Sequence, residues 1–144
     1  MKTGRTFERG ASMAWTAMFF SFVLVPILIF VVDGTRAMRA RTVLQQANDA
    51  ACENYTYAVV DVNHFKETGE IKAGNVVVAQ AQGNDTFSKI VSSSGLGATP
   101  AKIAFFPDAN GVVTCPATMT IQLMLSGKHL SIQSATVSQA RFTK

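Results

Sequence analysis

The sequence is poor in the residue types that build catalytic and metal sites. It has two histidines, two cysteines and only 15% charged residues among 144. It contains no CxxC pair, no P-loop lysine and no serine in a nucleophile elbow, and His64 and His129 have no partner in the sequence. Residues 61–63 resemble the start of a calcium loop but lack its later glycine and glutamate. We therefore predict that the protein is not an enzyme and takes no cofactor, no metal and no small-molecule substrate.

Clustered positive charge is also missing from most of the chain. The net charge of +4 is divided evenly between residues 1–10 and the part after Val32. The later lysines are scattered and are not interleaved with aromatic residues. Proteins that bind nucleic acid usually concentrate basic residues on one face. The sequence therefore predicts no nucleic-acid partner.

One stretch, residues 11–32, lacks charge altogether. As a helix it would extend about 33 Å, enough for a hydrocarbon core of about 30 Å. A signal peptide would have a shorter apolar core and a small-residue cleavage site, which Val31-Val32-Asp33 does not provide. A buried soluble helix would show a polar stripe. The pattern predicts a transmembrane helix over 11–32, kinked at Pro26, after a cytoplasmic basic tail or leader at 1–10.

The helical pattern continues beyond the span. Apolar residues recur at the three- and four-residue spacing of an amphipathic helix as far as about 62–65. Its apolar face consists of Met38, Val43, Leu44, Ala47, Ala50, Ala51, Tyr55, Ala58 and Val59. The residues that we single out for helix packing are Trp15, Phe19, Phe22, Pro26, Leu44, Ala47 and Ala51. We predict one long helix that is membranous at its start and soluble at its end.

A second helix is predicted after a polar connector at 66–74. It should cover about 75–88 and be interrupted near Gly83-Asn84. Asn84 or Asp85 would then cap a further turn through Val91. The serine- and glycine-rich stretch 92–100 reads as a loop.

From Ala101 on, the pattern is typical of β-structure. We predict strands at 101–106, 112–115, 118–125 and 129–142, with Asn110-Gly111 as a hairpin turn. In the last strand the apolar positions run Leu130, Ile132, then Ala135 and Val137. Together with the helices this predicts an α+β domain over 33–144, in which a small antiparallel sheet packs on the long helix.

Cys52 and Cys115 leave two alternatives open. They either form one disulfide, which closes a loop of about 60 residues and requires an oxidising compartment, or they are two separate thiols. The orientation of the chain is equally open. Basic residues flank both ends of the span, and Arg36, Arg39 and Arg41 favour a cytoplasmic domain, whereas a disulfide favours the opposite.

The N-terminal half resembles the tight-adherence (Flp) pilus-assembly proteins TadE, TadF and TadG. The resemblance rests on Arg9-Gly10, a span with a central proline, the exit Asp33-Gly34-Thr35-Arg36, and the run 44–51, LQQANDAA. It covers about residues 8–52.

This resemblance implies a single-pass protein of the bacterial inner membrane, with its N-terminus in the cytoplasm and its C-terminal domain in the periplasm. It implies a pilin-like or pseudopilin-like subunit, or an assembly anchor, whose partners are the membrane, copies of itself and other pilus-assembly proteins. It also implies a candidate prepilin-peptidase cleavage between Gly10 and Ala11, after which the subunit could enter an extracellular pilus. Such substrates carry a glutamate at the fifth position of the mature chain, where this chain has Trp15. That departure fits the TadG-type N-termini better, in which the protein stays an uncut anchor. The alternative is a membrane-tethered periplasmic scaffold that never enters a filament.

Overall fold

The computed structural model describes residues 5–60, 67, 74–108 and 112–139. One long helix begins the chain, as α1 (Arg5–Phe19), a π-helical segment (Phe20–Leu24) and α2 (Val25–Val59). The membranous and amphipathic parts are therefore continuous, as the sequence predicted. Val60 is already extended, so α2 ends before the predicted end near 62–65. Those residues, most of the connector and the turn Asn110-Gly111 lie outside the described part.

The irregularity in the long helix comes one turn before Pro26. Proline has no N–H, so it cannot donate the usual helical bond to the carbonyl of Phe22, four residues earlier. The backbone adapts with a π-helical turn, in which the N–H of Val25 donates to the carbonyl of Phe20. The helix therefore continues through this turn even though one of its usual i→i−4 hydrogen bonds is missing.

The second helix, α3 (Val76–Ser93), begins at Asn75, whose side chain accepts hydrogen bonds from the N–H groups of Val77 and Val78. It runs without interruption, so the predicted break near Gly83-Asn84 and the second cap at Asn84 or Asp85 are wrong. Gly83 is present for a different reason. A Cβ atom there would lie 2.5 Å from Cζ of Phe105, so glycine permits close packing against that ring.

The sheet is antiparallel and has β3 at its centre. β1 (Ala101–Ile103) and β2 (Phe106–Pro107) pair with one edge of β3 (Val112–Gln122), and β4 (His129–Gln139) pairs with the other. Two predicted strands, 112–115 and 118–125, are thus a single strand. Buried and exposed residues alternate along β3, and its inner face consists of Val113, Cys115, Ala117, Met119 and Ile121.

Pro116 explains why one predicted strand, 101–106, is divided in two. The pairing of β1 and β2 with β3 keeps a single register, so Ala104 lies opposite Pro116. The N–H of Ala104 donates to the carbonyl of Pro116 (3.0 Å), but proline cannot return the bond. The ladder is interrupted there, and Phe105 is buried in the core.

The core lies between three layers, because the C-terminal half of α2 packs against α3 and against β3 and β4. The apolar set Leu130 and Ile132 faces inward along β4, but Ala135 and Val137 do not. The inward positions continue strictly as every second residue, so Thr136 takes the place that the sequence pattern assigned to its neighbours. Its hydroxyl is needed there by two residues of α2, as described below.

Candidate functional site: the apolar helix and its junction with the head

The first part of the long helix presents an uncovered apolar surface. Trp15, Phe19 and Phe22 are 75%, 61% and 75% exposed, and no residue from 12 to 32 is buried. The polar side chain of Thr16 is satisfied within the helix, since its hydroxyl donates to the carbonyl of Ser12 (2.9 Å). Within the described residues this is the one helix long and apolar enough to cross a membrane. Lipid, or the same surface of another helix, is the environment that such side chains require.

We use "head" for the described residues from 33 onward, and "junction" for the contacts that hold it to the helix end. Asp33, directly after the apolar segment, accepts hydrogen bonds from the backbone N–H groups of Leu125 (3.1 Å) and Ser126 (3.0 Å). The side chain of Ser126 and these N–H groups hold the pKa of Asp33 below its usual value. The ionised carboxylate therefore caps the turn between β3 and β4.

Two arginines of α2 hold a second loop at the junction. Nη2 of Arg36 donates to the carbonyl of Leu96 (2.9 Å), and Nη2 of Arg39 donates to that of Ser94 (3.4 Å). Both carbonyls belong to the loop that follows α3, and Leu96 is buried against the core. The exit motif 33–36 thus ties two separate loops to the end of the apolar helix.

Further along α2, polar residues bind the sheet. Asn48 is fully buried, and its Nδ2 donates to the carbonyl of Cys115 (2.9 Å) and to Oγ1 of Thr136 (3.1 Å). The hydroxyl of Thr136 in turn donates to Oδ1 of Asp49 (2.6 Å). One helical turn beyond, Cys52 forms a disulfide with Cys115, with their Cα atoms 5.9 Å apart. Of the two alternatives left open by the sequence, the structure has the crosslink.

The predicted site residues do not form one cluster. Leu44, Ala47 and Ala51 are fully buried between α2, α3 and the sheet, whereas Trp15, Phe19, Phe22 and Pro26 belong to the exposed apolar segment. Gly10 and Ala11 lie within α1. The packing set therefore divides into an internal group and a group that faces the surroundings.

Sequence reasoning used Asp33, Arg36, Asn48 and Asp49 only as parts of the family motif or as flanking charge, and it gave none of them a partner in the fold. The spacing did contain a signal for these partners. Asp33, Arg36 and Asn48 are three or four residues from neighbouring positions on the buried face of α2. Polar residues on a buried face need partners, and here the partners are in loops and strands far along the chain. Only the tertiary structure identifies them.

No group of three or more His, Cys, Asp and Glu side chains in the described part of the chain could hold a metal ion.

A long uncovered apolar helix joined to an α+β head fits a single-pass membrane protein. Residues 10–52 match the family model for TadE/G-like Flp pilus-assembly proteins. The resemblance that the sequence predicted is thereby confirmed over the span, the exit motif and most of α2, and it supports a role in the assembly of a tight-adherence pilus. No curated protein and no solved structure matches the chain significantly.

Proposed function

We propose that this protein is a pilin-like or pseudopilin-like subunit, or a membrane anchor, in the assembly of a bacterial tight-adherence pilus. The observation that carries the proposal is the family match over residues 10–52, because the matched range includes the exposed apolar helix. Such a helix can lie in a bilayer before assembly and pack with copies of itself afterwards. Trp15, Phe19 and Phe22 are the large side chains available for that packing.

The proposed orientation has residues 1–10 in the cytoplasm, residues 11–32 across the inner membrane and residues 33–144 in the periplasm. The disulfide between Cys52 and Cys115 supports this, because disulfides form in oxidising compartments such as the periplasm. The proposed partners follow from this arrangement: the membrane, other copies of the chain, other pilus-assembly proteins and a prepilin peptidase.

The experiment that tests the proposal is N-terminal sequencing of the protein purified from its native cells. A chain that starts at Ala11 has been cut by a prepilin-type peptidase, and the same form should be found in material sheared from the cell surface. The variant G10V should then remain uncut. The matched control is G34A, because Gly34 has open space around it and lies outside the candidate cleavage site.

Trp15 favours the anchor form of this proposal, because it occupies the position where processed subunits carry a glutamate. An anchor should retain residues 1–10 and stay in the membrane fraction. If, in addition, cells that lack the protein still form the pilus, the filament role is excluded. The protein would then be a tethered scaffold of another envelope complex.

A further inference from the structure

The turn between β3 and β4, residues 123–128, lies where the long helix leaves its apolar segment. The carboxylate of Asp33 is within hydrogen-bond distance of the backbone of Leu125 and Ser126. Val32, the preceding residue, is the last of the apolar segment. The polar interface of a bilayer extends about 5–8 Å beyond each side of the hydrocarbon core. A turn bonded to Asp33 therefore lies at the depth of that interface when the helix spans the membrane.

The side chains at the tip of this turn are apolar and open to the surroundings. Met124 is 70% exposed and Leu125 is 53% exposed. Turns of soluble domains usually carry polar residues, and two adjacent large apolar side chains at a hairpin tip gain nothing from water. The helix, too, presents exposed apolar side chains directly before Asp33, namely Phe30, Val31 and Val32.

The charges around the tip suit a phospholipid surface. Lys128 is exposed at the end of the turn, and Arg39 and Arg41 are exposed on the neighbouring part of α2. The acidic group at this level, Asp33, is capped by the N–H groups of the turn and is itself buried. Basic side chains at this depth attract the phosphates of lipid headgroups.

We propose that the β3–β4 turn is a second membrane contact: Met124 and Leu125 insert into the interface of the bilayer that the helix crosses, and Lys128 binds headgroup phosphate. The contact holds the head in one orientation against the membrane surface, with the start of α3 and the disulfide farther out. It rests on the membrane span and does not require that the protein enters a filament.

The test uses the full chain, with its native disulfide, in vesicles of phosphatidylethanolamine and phosphatidylglycerol. Single cysteines are introduced as M124C and L125C and labelled with a fluorophore that reports local polarity. The vesicles contain a lipid with a quencher either near the headgroup or deep in the acyl chains. The control on the head is V77C, which is 75% exposed at the start of α3, and the control on the span is F22C.

We expect the labels at 124 and 125 to be quenched several-fold more strongly by the shallow quencher than the label at 77. The label at 22 should respond to the deep quencher. Labels at 124 and 125 that are as accessible to water as the label at 77 would overturn the proposal. Failure of the label at 22 would instead overturn the span itself, so the two failures are distinguishable.

A second copy of the chain is the other surface that could cover this tip. In that case the labels at 124 and 125 would be shielded from water without lipid quenching, and the shielding would fall when the protein is diluted in lipid. That result would also overturn the membrane contact. In the background of D33A, which removes the bonds to the turn, quenching at 125 should decrease several-fold while quenching at 22 is unchanged.

Discussion

The side chain of Asp33 joins the turn between β3 and β4 to the end of the apolar helix. Its two carboxylate oxygens each accept one backbone N–H from the β3–β4 turn, at 3.1 and 3.0 Å. Hydrogen bonds from Ser126 and Leu125 favour the ionised form and lower the pKa of Asp33. Two of these partners are backbone N–H groups, which do not depend on the side chains at 125 and 126.

The variant D33N should lower the melting temperature of the head at neutral pH, and the effect should vanish in acid. A carboxyl whose pKa is lowered on folding stabilises the protein above its unfolded pKa, about 3.9, and loses that contribution as the pH falls through the folded pKa. The measurement is thermal unfolding in detergent micelles as a function of pH. The control is D85N, which removes only an exposed ion pair with Lys89. A difference for D33N that persists unchanged at pH values below the folded pKa would contradict this assignment.

Asn48 is the buried amide that joins α2 to the centre of the sheet. The variant N48A should lower the free energy of unfolding by about 1–3 kcal/mol, because it leaves the buried carbonyl of Cys115 without this donor. Chemical denaturation measures the change. N54A is the matched control, since Asn54 makes an exposed bond to Thr86 and its loss should matter much less. Equal effects of the two variants would show that burial of Asn48 is unimportant.

At the scale of elements, α3 packs closely against the ring of Phe105 at Gly83. The ring of Phe105 lies over Gly83 and stacks on Tyr55 with ring centroids 4.4 Å apart. Burial raises the pKa of Tyr55, which is a core residue at the far side of that ring. The ring therefore lies between α2 and α3, and the missing side chain at Gly83 leaves the space that it occupies.

The variant G83A should destabilise the head even though alanine is the better helix former. The gain in helix propensity is about 1 kcal/mol, whereas forcing an extra methyl group into a packed core costs about 1–3 kcal/mol. G34A is the control, since nothing lies within 4 Å of its added Cβ and it should be neutral or stabilising. Denaturant midpoints of the two variants measure the contrast. If G83A is as stable as G34A, the ring of Phe105 has room to move and the packing argument fails.

At the scale of the whole molecule, the disulfide joins Cys52, about two turns before the end of α2, to Cys115 in the first half of β3. The junction at Asp33 lies at one end of the head, and the crosslink lies nearer the other. Between them, the buried face of α2 supplies the apolar contacts. The sheet and α3 are thus fastened along α2 from Asp33 to Cys52, so that a movement of α2 moves them with it.

The double variant C52A/C115A should lose about 4 kcal/mol of stability in the chain-entropy account of a loop of this size. In cells, the wild-type cysteines should resist a thiol reagent until a reductant is added, because the proposed periplasmic side is oxidising. Non-reducing mass spectrometry on protein from native cells checks the pairing. Free thiols at both Cys52 and Cys115 would remove the crosslink and the orientation that it supports. The exposed variant V77C serves as the positive control for reagent access.

Local pattern made the general form of this protein predictable. An uncharged apolar stretch of about 22 residues is typical of a transmembrane helix. Apolar residues that recur every three or four positions identify its amphipathic continuation. The α+β class, the buried positions Leu44, Ala47 and Ala51, and the family resemblance were all accessible in this way. These features depend on residues close together in the chain, where spacing translates directly into a helix face or a strand face.

What the sequence by itself determined is therefore the apolar span, the long helix and the β-character of the last third. The tertiary structure decided the joining of Cys52 to Cys115, the division of a strand opposite Pro116, the continuity of α3 through Gly83, and the junction at Asp33. Each of these depends on a partner distant in the chain. A glycine, a proline or a carboxylate has several local uses, and only the neighbour that folding brings to it selects one.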